Sequence, residues 1–269
     1  MKNKLRNSGF SLTEVLLAVG TLTIGMVFVA GVFPAAIHFT TIATERTIAA
    51  VAVDEAFAKI KIYAIGDPNV LVDDIDFNRL KEDGLTDFND INEPFPAIKN
   101  AIYNEFVYPS TGDSDKQYFW SALCRLTEGY DAVSNPNPPV QVTVFVSRKT
   151  GAGLEYPAPP DGTVTNPVNR PMPVRVDVSS VVNNELQIDD ANQITYINDG
   201  YTIVDDRTGR IYRVLERYMD EPDTILLDGT WQGDPTGVVW VVPPPRAPGQ
   251  PICSGRNPCI AIYQKVIRF

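Results

Sequence analysis

From Val15 to Ala43 the chain carries no Asp, Glu, Lys or Arg. That run exceeds the ~20 residues a helix needs to cross a bilayer. Its N-terminal flank narrows the possibilities further. Met1 to Gly9 hold Lys2, Lys4 and Arg6 and no acid, so this leader is expected to stay on the cytoplasmic side while the rest is exported. A secretory signal peptide places its apolar stretch ahead of the cleavage site and loses it on processing. Here the small residue Gly9 precedes the apolar stretch, so a cut between Gly9 and Phe10 leaves the anchor on the mature chain.

One carboxylate, Glu14, stands at the head of this run. An ionised acid near the buried end of a span costs on the order of a few kcal/mol unless it is paired or reaches the interface. Read alone, Glu14 suits a glutamate reaching toward headgroups, or an acid favoured by the positive end of a helix macrodipole. Together, Gly9-Phe10-Ser11-Leu12-Thr13-Glu14-Val15 and the apolar run to Phe39 resemble the N-terminal motif of the type IV pilin and type II secretion pseudopilin family. The resemblance covers about the first 35 residues and fixes a class without describing the head. It implies cleavage at Gly9-Phe10 by a prepilin peptidase, N-methylation of Phe10, and pairing of Glu14, the fifth mature residue, with a neighbour's N-terminal ammonium. It further implies other pilin or pseudopilin subunits and an inner-membrane assembly platform as partners. The protein would sit in a bacterial inner membrane, single-pass with its N-terminus cytoplasmic, before joining a periplasmic or surface filament. The large head suits a minor subunit better than a major one, and Glu14 argues against the tip subunit of a secretion system, which tends to lack that acid.

Beyond Thr41 the pattern becomes amphipathic: Ala49, Val53, Phe57, Ile60 and Ala64 share one face, and Glu55 and Lys59 form a favourable i,i+4 pair. Gly66-Asp67-Pro68 is the expected stop. A helix from Phe10 to Ile65 would run ~84 Å at 1.5 Å per residue. The expected organisation is a leader at 1–9, a membrane and assembly half of the helix at 10–39, an amphipathic half at 40–65, and an exported head at 66–269. Pro34 cannot donate to the carbonyl of Ala30, so a kink or local melt is expected around Gly31 to Pro34; the alternative is two helices broken there. The family often carries a helix-breaking proline in this segment, though Pro34 lies a few residues later than is usual. Gly20 and Gly25 offer flexibility or close helix approach. The sole histidine, His38, lies in the anchor, where a partnered or interfacial imidazole is the simpler reading.

The head is expected to be β-rich from about residue 117, making the whole chain α+β: a long N-terminal helix packed on an antiparallel, pilin-like head. Residues 67–116 are acidic and irregular, with short helical pieces expected at 75–83 and 95–105. Val140, Val142, Val144 and Val146 alternate with Gln141, Thr143, Phe145 and Ser147, and Val174, Val176 and Val178 repeat the period of two. Tyr201 to Val204 and Arg210 to Leu215 flank a turn and read as a hairpin. Further strands are expected at Tyr118 to Leu126, Thr224 to Leu227, Val238 to Val242 and Ile260 to Ile267. Proline-rich stretches at 135–139, 157–173 and 243–251 read as loops.

Three cysteines are few for a disulfide framework. Cys253 and Cys259 enclose a turn-prone Ser-Gly-Arg-Asn-Pro, and an exported head favours a bond between them over free thiols. Cys124 reads as a buried free thiol. Two thiols alone supply too few ligands for a metal. The acids Asp189, Asp190, Asp199, Asp205 and Asp206 could hold calcium through loop oxygens, though they lack EF-hand spacing; no other cofactor is expected. There is no GxSxG, no GxxxxGK[ST] and no HExxH, and the one histidine lies in the anchor, so no enzyme activity is expected. A net charge of -10, or about -13 without the leader, disfavours direct nucleic-acid binding. Two other classes stay open: a solitary single-span envelope protein whose head binds glycan, calcium or protein, and an anchored enzyme using carboxylates.

Overall fold

The computed structural model describes residues 11–62, 85–87, 107–109, 117–127, 139–158, 163–250 and 252–268. Gly9, Phe10, the expected stop at 66–68 and the expected helical pieces at 75–83 and 95–105 lie outside them. The chain divides into two compact units, with the boundary after Thr47.

The one α-helix among the described residues, α1, spans Leu12–Ile62. Its first turn is closed by Ser11, whose carbonyl accepts from the amides of Glu14 (3.0 Å) and Val15 (3.2 Å). Glu14 in the first turn and Lys59 and Lys61 in the last complement the helix dipole. Helical structure runs through Pro34, so the two-helix alternative is not what forms. Beyond the proline, the hydroxyls of Thr40, Thr41, Thr44 and Thr47 each donate to the carbonyl four residues back, at 2.8–2.9 Å. These threonines hide their own polar groups against the backbone, which an apolar surrounding requires.

In the second unit, Ile48 to Ile62 of α1 lie on an antiparallel sheet. Its strands are β1 (Thr86–Asp87), β2 (Val107–Tyr108), β3 (Tyr118–Leu126), β4 (Val140–Arg148) and, at the C-terminal end, a long strand over Cys259–Ile267. Ala49, Ala52, Val53, Ala56 and Ile60 pack on Trp120, Ala122, Cys124 and the four alternating valines of β4. The expected face is thus widened by Ala52 and Ala56, whose small side chains let helix and sheet approach closely. Phe57 sits at the margin, half-buried, with the Lys265 ammonium 5.5 Å from its ring centroid. The Glu55–Lys59 pair forms at 3.0 Å.

The other face of this sheet is also covered. Gln141 apart, the side expected to be the more polar one is buried, with Thr143 and Phe145 at 0% exposure and Ser147 at 2%. What covers it is a closed six-stranded antiparallel barrel, a feature absent from the expectation. Before it comes a small two-stranded sheet, β5 (Tyr156–Ala158) and β6 (Thr163–Val168), within the proline-rich stretch 157–173 that reads as a loop in sequence. The barrel strands are β7 (Val174–Val182), β8 (Glu185–Ile188), β9 (Thr202–Asp205), β10 (Ile211–Arg217), β11 (Thr224–Leu227) and β12 (Thr236–Val241); the C-terminal strand is β13 (Cys259–Ile267). Around the barrel the order is β10-β11-β8-β7-β12-β9. Val174, Val176 and Val178 point inward with Ile188, Ile203, Val214 and Val239. Val204, Trp240 and Val242 point outward onto Leu123 and Phe145 of the sheet.

A polar seam reinforces that apolar contact. Arg125 Nε donates to Gln141 Oε1 at 2.8 Å and its Nη1 donates to the Arg207 carbonyl at 2.7 Å. Gln264 Nε2 donates to Thr143 Oγ1 at 3.0 Å and also to the Gly209 carbonyl. Both bonds tie the β9–β10 turn to the sheet.

Candidate functional site

The most unusual surface is the first half of α1. Every described residue from Ser11 to Thr40 is exposed, including Leu12 at 78%, Phe28 at 69% and Phe39 at 69%. Soluble monomers rarely leave apolar surface of this extent uncovered. The helix is long and apolar enough to cross a membrane.

Glu14 stands on the first turn of this helix, exposed, with no ion pair to it among the described residues. Its position follows from sequence alone, since it is the last charged residue before the uncharged run. Pro34 is seated inside the helix, and His38 has its ring 6.1 Å from that of Phe39. Gly9 and Phe10, the residues of the expected cut, lie outside the described residues.

The head acids are engaged in turns. Asp205 is buried and accepts from the amide of Thr208 at 2.9 Å and from its hydroxyl. Asp206 accepts from Trp240 Nε1 at 2.6 Å and from the Leu85 amide at 3.2 Å. Burial pushes its carboxyl above the usual range, against the lowering effects of the Trp240 bond, Arg175 and the Leu85 bond. Asp189 accepts from Ser179 Oγ, Asp190 from the amide and side chain of Asn192, and Asp199 from the Arg217 amide. No group of three or more His, Cys, Asp or Glu among the described residues is arranged to hold a metal.

Cys253 and Cys259 are free thiols here, so the expected bond is not made. The two side chains serve different cores. Cys253 is packed inside the barrel cluster, whereas Cys259 opens β13 and packs with the residues between barrel and sheet. Burial pushes Cys253 up to about 11 and Cys259 up to about 12, which suppresses thiolate reactivity. Cys124 is buried in β3, among the residues packed against α1.

Nearby, Arg246 anchors the proline-rich segment after β12. Its Nη2 lies 3.1 Å from Glu155 Oε2, and the two backbones exchange hydrogen bonds of 2.9 and 3.2 Å. Compared with family models, curated proteins and solved structures, the chain matches none.

Proposed function

We propose that this protein is a structural subunit, a minor one, of a type IV pilus or type II secretion pseudopilus. In this reading a prepilin peptidase cuts between Gly9 and Phe10, Phe10 is N-methylated, and the subunit assembles through its N-terminal helix. The observation that carries it is the fully exposed apolar helix with a single carboxylate, Glu14, on its first turn. Such a surface has two stable destinations, a bilayer and a bundle of like helices, and a filament subunit uses both in turn. An uncompensated Glu14 is costly in either place, and a neighbour's new N-terminal ammonium offsets that cost. The head supports the reading in a coarser way: a helix laid on an antiparallel sheet suits a pilin-like scaffold, which here also holds a barrel.

The direct test is the N-terminus of the native protein, read by mass spectrometry. A mature chain starting at methylated Phe10 is expected. An intact Met1 would favour a solitary anchored protein and remove the filament reading. Gly9→Val should block the cut. Glu14→Ala should leave membrane insertion and cleavage intact while impairing polymerisation; normal incorporation of that variant would remove the role given to Glu14.

A further inference from the structure

The antiparallel sheet under α1 ends differently at its two margins. Beyond β3 lie the two-residue strands β1 and β2, short enough to offer little edge for pairing. The other margin is β13, paired with β4 in unbroken register from Ala261 to Ile267. Among the described residues no strand takes its outer side. That run holds no proline, and the bulge between Cys259 and Ala261 lies before it. Of the usual devices that blunt an edge, it keeps one charge, Lys265. The open backbone groups follow from the pairing. The Thr127 amide donates to the Pro139 carbonyl and the Lys149 amide to the Gln117 carbonyl, so by alternation the odd-numbered residues of β4 bond to β3. Its even-numbered residues bond to β13, and the register sets Ala261, Tyr263, Lys265 and Ile267 opposite them. The amides and carbonyls of Ile262, Gln264 and Val266 therefore point to the open edge. Gln264 and Lys265 are exposed there, and Val266 is 57% exposed.

We propose that the outer edge of β13 accepts an extended segment of another protein as a further antiparallel strand, with apolar side chains beside Ile262 and Val266 and a carboxylate beside Lys265. Open strand backbone is complemented by strand backbone, which fixes the form of the occupant. Charge fixes its chemistry. From Cys259 to Phe269 the chain has Lys265 and Arg268 and no acid, so the β13 of a second copy would bring cations to cations. Lys265 is exposed, with its ammonium at the margin of α1 over Phe57. Because its own amide and carbonyl face β4, Lys265 meets the incoming strand as a non-hydrogen-bonded pair, the arrangement that brings side chains closest. An acid directly across is the favourable partner there, and a second cation the unfavourable one. Nothing in this edge depends on how the N-terminus is processed.

The test is amide hydrogen exchange on the full-length chain in detergent, with the end-capped peptide Thr-Val-Glu-Val-Thr-Val-Thr as probe. Without peptide, the amides of Ile262, Gln264 and Val266 should exchange fast and those of Tyr263 and Lys265 slowly. The peptide should slow the first set. Lysine in place of its glutamate should weaken binding about threefold or more, and Lys265→Glu in the protein should reverse that order. N-methylation of the peptide's valines, whose amides face β13 in this register, should abolish the slowing. N-methylation of its threonines, whose amides face away, should not. The proposal is overturned if no peptide slows those amides, if the two methylated peptides act alike, or if Lys265→Glu leaves the charge order unchanged. Amides already slow without peptide would overturn it as well. They would show the edge filled by this chain itself or, where the slowing grows with protein concentration, by a second copy.

Discussion

Asp206 is an acid held by two donors from separate parts of the head. Its carboxylate takes the indole N–H of Trp240, itself 2% exposed, and the amide of Leu85, while burial disfavours its ionised form. With the folded pKa raised above the unfolded value of about 3.9, the stability it contributes is fully present below that value and is lost as pH rises through the folded pKa. Asp206→Asn keeps an oxygen acceptor for both donors and removes the buried charge. It should therefore raise the thermal midpoint of the detergent-solubilised chain relative to wild type at pH 8, and not at pH 3. A lower midpoint at pH 8 would show that the ionised form is the favoured one. Asp206→Ala leaves the Trp240 N–H unmet and should cost about 1–3 kcal/mol at either pH. The two thiols near the C-terminus make a separate prediction. Held up at about 11 and about 12 by burial, Cys253 and Cys259 should resist a maleimide at pH 8 in the folded protein and react together once it is unfolded. Rapid labelling of the folded chain contradicts their burial, and a peptide pair joined through sulfur would restore the bond expected from sequence.

At the scale of elements, what was legible followed local period. The alternating valines of β4 and β7, the β9–β10 hairpin and the strands β3, β11 and β13 stand within a few residues of their sequence signals, because side-chain alternation is a property of the strand itself. The β5–β6 pair was hidden by Pro157 and Pro167, which argue against strand wherever an amide is needed. β8 was missed because Glu185-Leu-Gln-Ile188 offers only two apolar residues to a period of two. Burial of the second face of β4 was illegible for another reason: Thr143 and Ser147 look solvent-facing until the barrel wall is set against them. The turn that makes that contact is exacting. Gly209 has a φ of +67°, its carbonyl accepts from Gln264, and a Cβ there would meet the Gln141 side chain at 3.0 Å. Gly209→Ala should thus destabilise by about 1–2 kcal/mol from backbone strain alone. Gly229→Ala, where the added Cβ meets nothing within 4 Å, is the control and should stay near wild type. Equal denaturation midpoints for the two variants would deny the turn its part in docking barrel to sheet.

At the scale of the molecule, the head is a simple scaffold with a second core threaded into it. Ser147 of β4 and Cys259 of β13 face one another as sheet neighbours, yet the β5–β6 pair and the entire barrel lie between them in sequence. This explains why the candidate site was readable and the barrel was not. Glu14 and the uncharged run are a local pattern, visible in the sequence without any long-range contact. Closure of the barrel depends on β12 pairing with both β7 and β9, contacts that no local period announces. The same topology makes the two cores unequal in their dependence on the C-terminus. The helix-bearing sheet needs β13 along the whole of β4, from Ile267 opposite Val140 to Cys259 opposite Ser147. The barrel closes on its own hydrogen bonds, and its interior cluster includes no residue of β13. A chain truncated after Pro258 should therefore lose protection in β3 and β4 while limited proteolysis leaves a resistant fragment containing Val174 to Val241. Near-UV circular dichroism should retain the Trp231 contribution, since that indole packs at a tilt against the Tyr212 ring, with centroids 5.2 Å apart, in the barrel cluster. It should lose most of the Trp120 contribution, because Trp120 is buried between α1 and the sheet. Digestion of the barrel at the same rate as the sheet would mean that the contact through Leu123, Phe145 and Trp240 carries the barrel's stability, and that the inserted core has no fold of its own.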